Sequence, residues 1–334
     1  MARKLPMYKA ISEAIAQEME KDNSIFVMGE DIGAYGGIFG ATTGLLQKFG
    51  NERVKDTPIS ESAFIGGALG AASKGMRPIA ELMFVDFFGV AMDQIYNHIA
   101  KAHYMSDGHV KMPIVIMTAI GGGYSDAAQH SQCLYGLFAH VPGLKIVIPS
   151  NSYDAKGLMI SSLRDDNPVM YFFHKGLMGL GWMPSPDEAA VEVPEEAYTI
   201  PLGEAKIVKE GKDITIATVS RMVYEALWAT KELENEGISA EIIDLRTLVP
   251  LDKKALIDSV KKTGRLLVVD EDYRSYGMTG EIVSLVSEEM AHNLKVPPRR
   301  LAYPDVPIPY SRTLEKFVLP DKDKIKIIIK EMMK

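Results

Sequence analysis

Two short segments hold the residues best suited to chemistry. In Asp56-Thr57-Pro58-Ile59-Ser60-Glu61 a carboxyl group stands where the chain passes into a glycine- and alanine-rich stretch. In Ala127-Ala128-Gln129-His130-Ser131-Gln132 a histidine is flanked by amides, shortly after Gly121-Gly122-Gly123. A carboxyl can hold or relay a proton where its surroundings disfavour charge. Imidazole works as a general acid or base near neutral pH. Ser60 has the right type for a helix N-cap, and a first-turn acid complements the helix dipole, so Glu61 also reads as an ordinary helix start. Gly66, Gly67 and Gly70 argue against the ordinary reading. Each helix-interior glycine costs about 1 kcal/mol relative to alanine. Such a helix is expected where another backbone or a ligand must come close.

The elements that would position these residues are legible. Met7, Ala10, Ile11, Ala14, Ile15 and Met19 fall at helical spacing. Residues 24–28, 78–84, 113–119, 144–148 and 169–173 read as strands, with helices predicted over 86–105 and 153–163. Residues 174–201 are rich in Gly, Pro and Glu and read as loop and linker. A second run follows, with strands over 213–219, 240–245 and 265–270 and helices over 222–236, 253–262 and 280–292. Short apolar strands alternating with amphipathic helices predict an α/β chain of two doubly wound, mostly parallel-sheet domains, residues 1–195 and 196–334. Ligands of such sheets gather beyond the carboxyl ends of the strands. Glu30, Glu61, Phe84–Phe87 and Gly121–Gln132 all follow expected strands.

Composition narrows the classes. The 334 residues are 47% hydrophobic and 24% charged, as in an ordinary globular chain with room for two domains. A net charge of −7 gives no basic surface for nucleic acid. One cysteine, Cys133, excludes an internal disulfide framework and suits a reducing cytoplasm. The N-terminal residues show no apolar signal core, and the longest apolar run, near 113–120, is far too short to span a bilayer. No Gly-x-Gly-x-x-Gly follows a strand, His98, His103 and His109 lack zinc-site spacing, and there is no Gly-x-Ser-x-Gly.

The words Asp-Thr-Pro-Ile-Ser-Glu (56–61), Gly-Met-Arg-Pro-Ile-Ala-Glu-Leu-Met-Phe (75–84), Ala-Ala-Gln-His-Ser-Gln (127–132), Pro-Gly-Leu-Lys (142–145) and Asp-Ala-Lys-Gly-Leu (154–158) occur in this order. With Ile-Asp-Leu-Arg-Thr-Leu (243–248), Lys-Thr-Gly-Arg-Leu-Leu (262–267) and Leu-Pro-Asp-Lys (319–322), the whole chain resembles the β subunits of the thiamine diphosphate-dependent first component of 2-oxo acid dehydrogenase complexes. Pyruvate, branched-chain and acetoin dehydrogenases belong there. The resemblance implies a pyrimidine-binding domain followed by a transketolase C-terminal-like domain. It matches Glu61 to the carboxyl that works at N1′ of the aminopyrimidine, a role that needs a carboxyl able to hold a proton. Ala63, Phe64 and Ile65 are suitable neighbours for that. It matches Phe87 to the aromatic residue stacked on the pyrimidine, and Glu30 and Ile59 to further residues lining the cofactor. His130 matches the histidine that stabilises anionic intermediates and helps hand the acyl group to lipoyl sulfur. Asp165 and Asn167 match a structural monovalent-cation site, K+ being the expected ion, although Asp-Asn-Pro is also ordinary turn chemistry.

The magnesium-diphosphate motif of this superfamily begins Gly-Asp-Gly, and no such triplet occurs here. The resemblance therefore implies that Mg2+ and the diphosphate are held mainly by an α subunit, in an α2β2 heterotetramer that serves a lipoyl acyltransferase. A cytoplasmic location, with no membrane or nucleic-acid partner, is expected. After the strand over 169–173, many relatives carry an acidic residue, a Lys and a Leu-Tyr pair, where this chain has His174-Lys175-Gly176-Leu177-Met178. The words at 129–138 and 38–45 lean towards acetoin dehydrogenases. A two-carbon-transferring subunit of transketolase or deoxyxylulose-synthase type, and a non-catalytic α/β scaffold, are the competing readings. The retained Glu61 and His130 speak against a scaffold.

Overall fold

The computed structural model describes residues 3–334. They form two compact units. One comprises the chain up to Ile120 together with Phe138–Leu202, the other Gly121–Leu137 together with Gly203–Lys334. The excursion of Gly121–Leu137 into the second unit opens on Gly121-Gly122-Gly123.

In the first unit, α1 (Met7–Lys21) buries Met7, Ala10, Ile11, Ala14, Ile15 and Met19, the residues whose spacing marks it. Then come β1 (Ile25–Gly29), β2 (Val54–Asp56), α2 (Glu61–Ser73), β3 (Arg77–Phe84), β4 (Val115–Ile120), β5 (Lys145–Val147), α3 (Ser152–Arg164) and β6 (Val169–His174). Within this unit the strands lie in the order β5-β6-β4-β3-β1-β2, every neighbouring pair parallel. β4 and β6 are buried at every residue, which is why they read as unbroken apolar runs.

The single helix expected over 86–105 is not formed. Val85–Ala91 is a run of 3₁₀ turns, Gln94–Ile99 a π-helical turn and Ala102–Met105 one α-turn. Aromatic anchoring displaces the regular helix: Phe87 meets Phe84 edge-on at 5.5 Å and Phe88 meets Phe138 at 5.4 Å. The 174–201 stretch lacks long elements, yet it is fastened to α3. The fully buried Lys156 ammonium donates to Glu13 at 2.7 Å and to the carbonyls of Pro194 and Glu195 at 2.7 and 3.0 Å. Tyr198 stacks on Tyr153 at 4.6 Å.

The second unit runs through β7 (Lys206–Lys209), β8 (Ile214–Thr218), α4 (Met222–Glu234), β9 (Ala240–Asp244), α5 (Lys253–Thr263), β10 (Leu266–Tyr273), α6 (Met278–Met290), β11 (Arg299–Tyr303), α7 (Arg312–Val318) and α8 (Lys322–Met332). The sheet order is β11-β10-β8-β9-β7, parallel except for β7 at one edge. Ile214, Ile216, Leu267 and Val269 pack with Ile325 and Ile329 in its core. α5 shows the usual terminal chemistry. Asp252 accepts from the Ala255 N–H at 2.9 Å, and Gly264 closes the helix in the left-handed region at φ 73°. The doubly wound α/β expectation thus describes both units. Among the described residues no helix is long and apolar enough to cross a membrane.

Candidate active site

Because its strands are parallel, the first unit sends the segments after β1, β2 and β3 off the same edge of the sheet. These segments are also tied together. Thr57 N–H donates to the Gly29 carbonyl at 2.9 Å, and Gly33 N–H to Asp56 Oδ1 at 2.7 Å. Ser60 stands at the cap position of α2 but does not cap it. Its hydroxyl donates to the Pro58 carbonyl at 3.1 Å, and its N–H is given to Glu30. This is a departure from the sequence reading, and the fold brings two buried carboxyls, Glu30 and Glu61, near enough for the charge of Glu61 to act on Glu30.

Burial, the Glu61 carboxylate and Asp31 push the Glu30 carboxyl above its ordinary value, against the pull of the Ser60 N–H. Glu30 Oε1 and Thr57 Oγ1 are buried without a hydrogen-bond partner. Unpaired polar atoms at such depth are uncommon, and a water, an ion or a ligand group could satisfy them. The first turn of α2 packs against the Phe87 segment, where the Ser62 hydroxyl donates to the Val90 carbonyl. Phe87 is half-buried in edge contact with Phe84. Ile59 is 83% exposed, so this chain alone leaves that side of the site open.

The helix glycines find no close neighbour within the chain that would require them. A Cβ at Gly66 would lie 3.5 Å from Gln94 Cγ and one at Gly67 3.7 Å from Met28 Cε, both ordinary contacts, and at Gly70 nothing lies within 4 Å.

Sequence reasoning assigned no role to one further residue, Glu81 on β3. Its side chain is 2% exposed and burial pushes its carboxyl up to about 8, so it stays protonated at neutral pH. Its register partner on β1 is Gly29, at the end of the strand that leads to Glu30. A Cβ at Gly37 would lie 3.3 Å from both Glu81 oxygens, so the glycine-rich loop runs against this carboxyl as bare backbone. The available signal was an acid inside an apolar β3 run.

His130 lies in the Gly121–Leu137 segment of the second unit, partly exposed, its N–H donating to the Ala127 carbonyl at 3.4 Å. The Asp165–Asn167 turn is well supplied with charge. Asp165 pairs with Lys145 and accepts from the Asn167 N–H and Nδ2, each at 2.9 Å. The Leu163 and Asp165 carbonyls accept from Arg77 Nη1 at 3.1 and 2.9 Å, and the Asp166 carbonyl accepts from Met112 N–H. Arg77 and Lys145 thus hold much of the oxygen set a monovalent cation would use. Among the described residues no group of three or more His, Cys, Asp or Glu could hold a metal ion.

Comparison with known proteins sets this geometry in context. Residues 3–179 match the transketolase pyrimidine-binding domain and residues 203–325 the transketolase C-terminal domain. The β subunit of the acetoin:2,6-dichlorophenolindophenol oxidoreductase of Cupriavidus necator is 48% identical, over all of this chain and 99% of that one. The chain belongs to the β-subunit family of the thiamine diphosphate-dependent 2-oxo acid and acetoin dehydrogenases. Within that family, the β subunit of the 2-oxoisovalerate dehydrogenase of Bacillus subtilis is 45% identical over 97% of both chains. A mitochondrial pyruvate dehydrogenase β subunit of Oryza sativa is 42% identical over 97% of this chain and 85% of that one. A split-gene transketolase, an inactive β4 tetramer, shares the fold, with a TM-score of 0.77 over 99% of both chains at 23% identity. Membership as a β subunit implies an α partner.

Proposed function

We propose that this β subunit supplies the pyrimidine half of a thiamine diphosphate site in an enzyme that cleaves acetoin, or decarboxylates a short 2-oxo acid such as pyruvate or a branched-chain acid. The enzyme then passes the acyl group to the lipoyl domain of an acyltransferase. The observation that carries this reading is the buried Glu30–Glu61 pair at the carboxyl edge of a parallel sheet, with Glu30 Oε1 and Thr57 Oγ1 unpartnered beside it. This donor set suits an aminopyrimidine, which offers both N–H groups and ring nitrogens.

When bound, the cofactor would supply an acidic thiazolium carbon and an electron sink. Glu61 would hold or move the proton at N1′, while Glu30, kept protonated more readily by burial and by Glu61, limits the negative charge beside it. Phe87 would offer its ring face to the pyrimidine, and Ile59 would line the exposed side together with the α partner. His130 would act as the acid in acyl transfer to lipoyl sulfur. Mg2+ and the diphosphate are assigned mainly to the α partner, because no Gly-Asp-Gly occurs here. The expected assembly is α2β2 in the cytoplasm. The glycine face of α2, bare at Gly70, is the surface assigned to close helix packing in it.

Acetoin is the favoured substrate, on the words at 38–45 and 129–138 and on the identity to the acetoin enzyme. The proton role is tested by exchanging deuterium for the C2 hydrogen of bound cofactor in Glu61→Gln, assembled with the α partner. Exchange should slow by at least about 100-fold, and wild-type exchange would remove the role. Direct competition of acetoin, pyruvate and branched 2-oxo acids tests the substrate, and a strong preference for a 2-oxo acid would reverse it.

A further inference from the structure

The segment that carries His130 is held from one side by acids of the second unit. Glu315, at the centre of α7 and 1% exposed, accepts the Gly123 N–H on one carboxylate oxygen at 2.7 Å and the Ser125 N–H on the other at 2.9 Å. Glu271, on β10, accepts the Gly122 N–H at 2.7 Å. A Cβ at Gly122 would lie 3.4 Å from both Glu315 Oε1 and Leu319 Cδ2, so this arm of the loop lies flush against α7 and the residue after it. Farther along, Tyr273 donates to Gln132 Oε1 at 3.2 Å and Gly136 N–H to Asp272 at 3.2 Å, and the Tyr135 hydroxyl donates to Asp270.

The backbone between these anchors is not one the sequence would adopt unaided. Ser125, Ala127 and Leu134 all sit in the left-handed region, at φ 62°, 61° and 49°. Non-glycine residues hold that conformation only where surrounding structure imposes it. Charged acceptors on backbone N–H groups are among the stronger hydrogen bonds available for the purpose. The carboxyl end of β10 is in this way covered by the protein's own chain.

We infer that Glu315, assisted by Glu271, is a positioning residue for His130: its two-oxygen grip on the Gly123 and Ser125 N–H groups sets the backbone from which the imidazole is presented. The catalytic consequence rests on the role given to His130 above, whereas the grip itself does not.

Glu315→Gln keeps the shape but turns one of the two acceptors into a donor facing an N–H. The test uses the chain assembled with its α partner, and measures amide exchange by mass spectrometry together with acyl transfer, in the parent and in a His130→Ala background. Peptides covering 121–134 should exchange about tenfold faster or more, with β8 and β4 unchanged. Turnover should fall by about tenfold with KM within about twofold, and the loss should vanish when His130 is already alanine, because both changes act through one group. Glu271→Met, which removes a single anchor, should show the same pattern at smaller size, and carries the test if the first variant folds poorly. Unchanged exchange over 121–134 overturns the inference, and so does an equal loss in the His130→Ala background. Should the parent complex turn over none of the substrates, the reading of His130 falls, while the exchange result still decides whether the acids hold the loop.

Discussion

Both units place buried acids at the carboxyl edge of a parallel sheet, and they use them in opposite ways. In the first unit Glu30 and Glu81 keep a buried oxygen unpartnered, and both carboxyls are pushed above their ordinary value. In the second unit Glu271, Asp272 and Glu315 are met by backbone N–H groups of the chain itself. Burial at that depth penalises charge and favours the proton, and at Glu30 the Ser60 N–H opposes it only in part. An acid given N–H donors serves as a clamp, and Asp272 does so although burial still pushes its carboxyl up. One fold class thus yields an edge whose acids keep unpartnered oxygens and an edge covered by a loop, and the difference lies in what the following segment brings to the carboxylates.

The largest expected effect falls on the open edge. Glu61→Gln should cut turnover by about 10²–10⁴-fold with the melting temperature almost unmoved, since an amide fills the same space in a site not closed by this chain. A drop of many degrees alongside the lost activity would make Glu61 a structural acid and erase the contrast.

Glu81 gives the next effect, through pH. Its folded value of about 8 lies above its ordinary 4.5. The stability of the protonated form is fully present below pH 4.5 and is lost as pH rises through 8. Glu81→Gln removes this dependence. The wild-type chain should therefore lose ground to the variant by roughly 1.4 kcal/mol per pH unit across that window. Urea unfolding at pH 5, 6.5 and 8 measures it, and parallel curves at all three would mean that the carboxyl is ionised when folded.

On the closed edge, Tyr135→Phe removes the donor to Asp270, a carboxyl that burial already pushes up. A stability loss of about 1–2 kcal/mol is expected, with C2 exchange at the open edge unchanged. A slowed exchange would show that the two edges are not separable. The smallest effect concerns the Asp165 turn. Replacing K+ by Na+ should leave the melting temperature unchanged, because Arg77 and Lys145 already bring positive charge to its oxygens. Stabilisation specific to K+ would instead establish the cation site.

Much of this was legible in the sequence. Periodicity marked α1, the burial of β4 and β6 made them continuous apolar words, and strand–helix alternation gave the doubly wound class for both units. β2, β7 and β11 left no signal, being short or half-exposed strands whose pairing comes from their neighbours. The helix expected over 86–105 broke up where Phe88 packs on Phe138, a contact distant in sequence that outweighs local propensity. Residue type and order were enough to single out Glu61 and His130, since chemistry constrains which side chains can serve. Three things were decided only by the tertiary structure: that Ser60 gives its N–H to Glu30 and does not cap α2, that Glu81 is a buried and protonated acid, and that the His130 segment is gripped by Glu315 almost two hundred residues away. The reason is the same in each case. Hydrogen-bond partnership and desolvation depend on which groups the fold brings together in space, and no local pattern of residues encodes that.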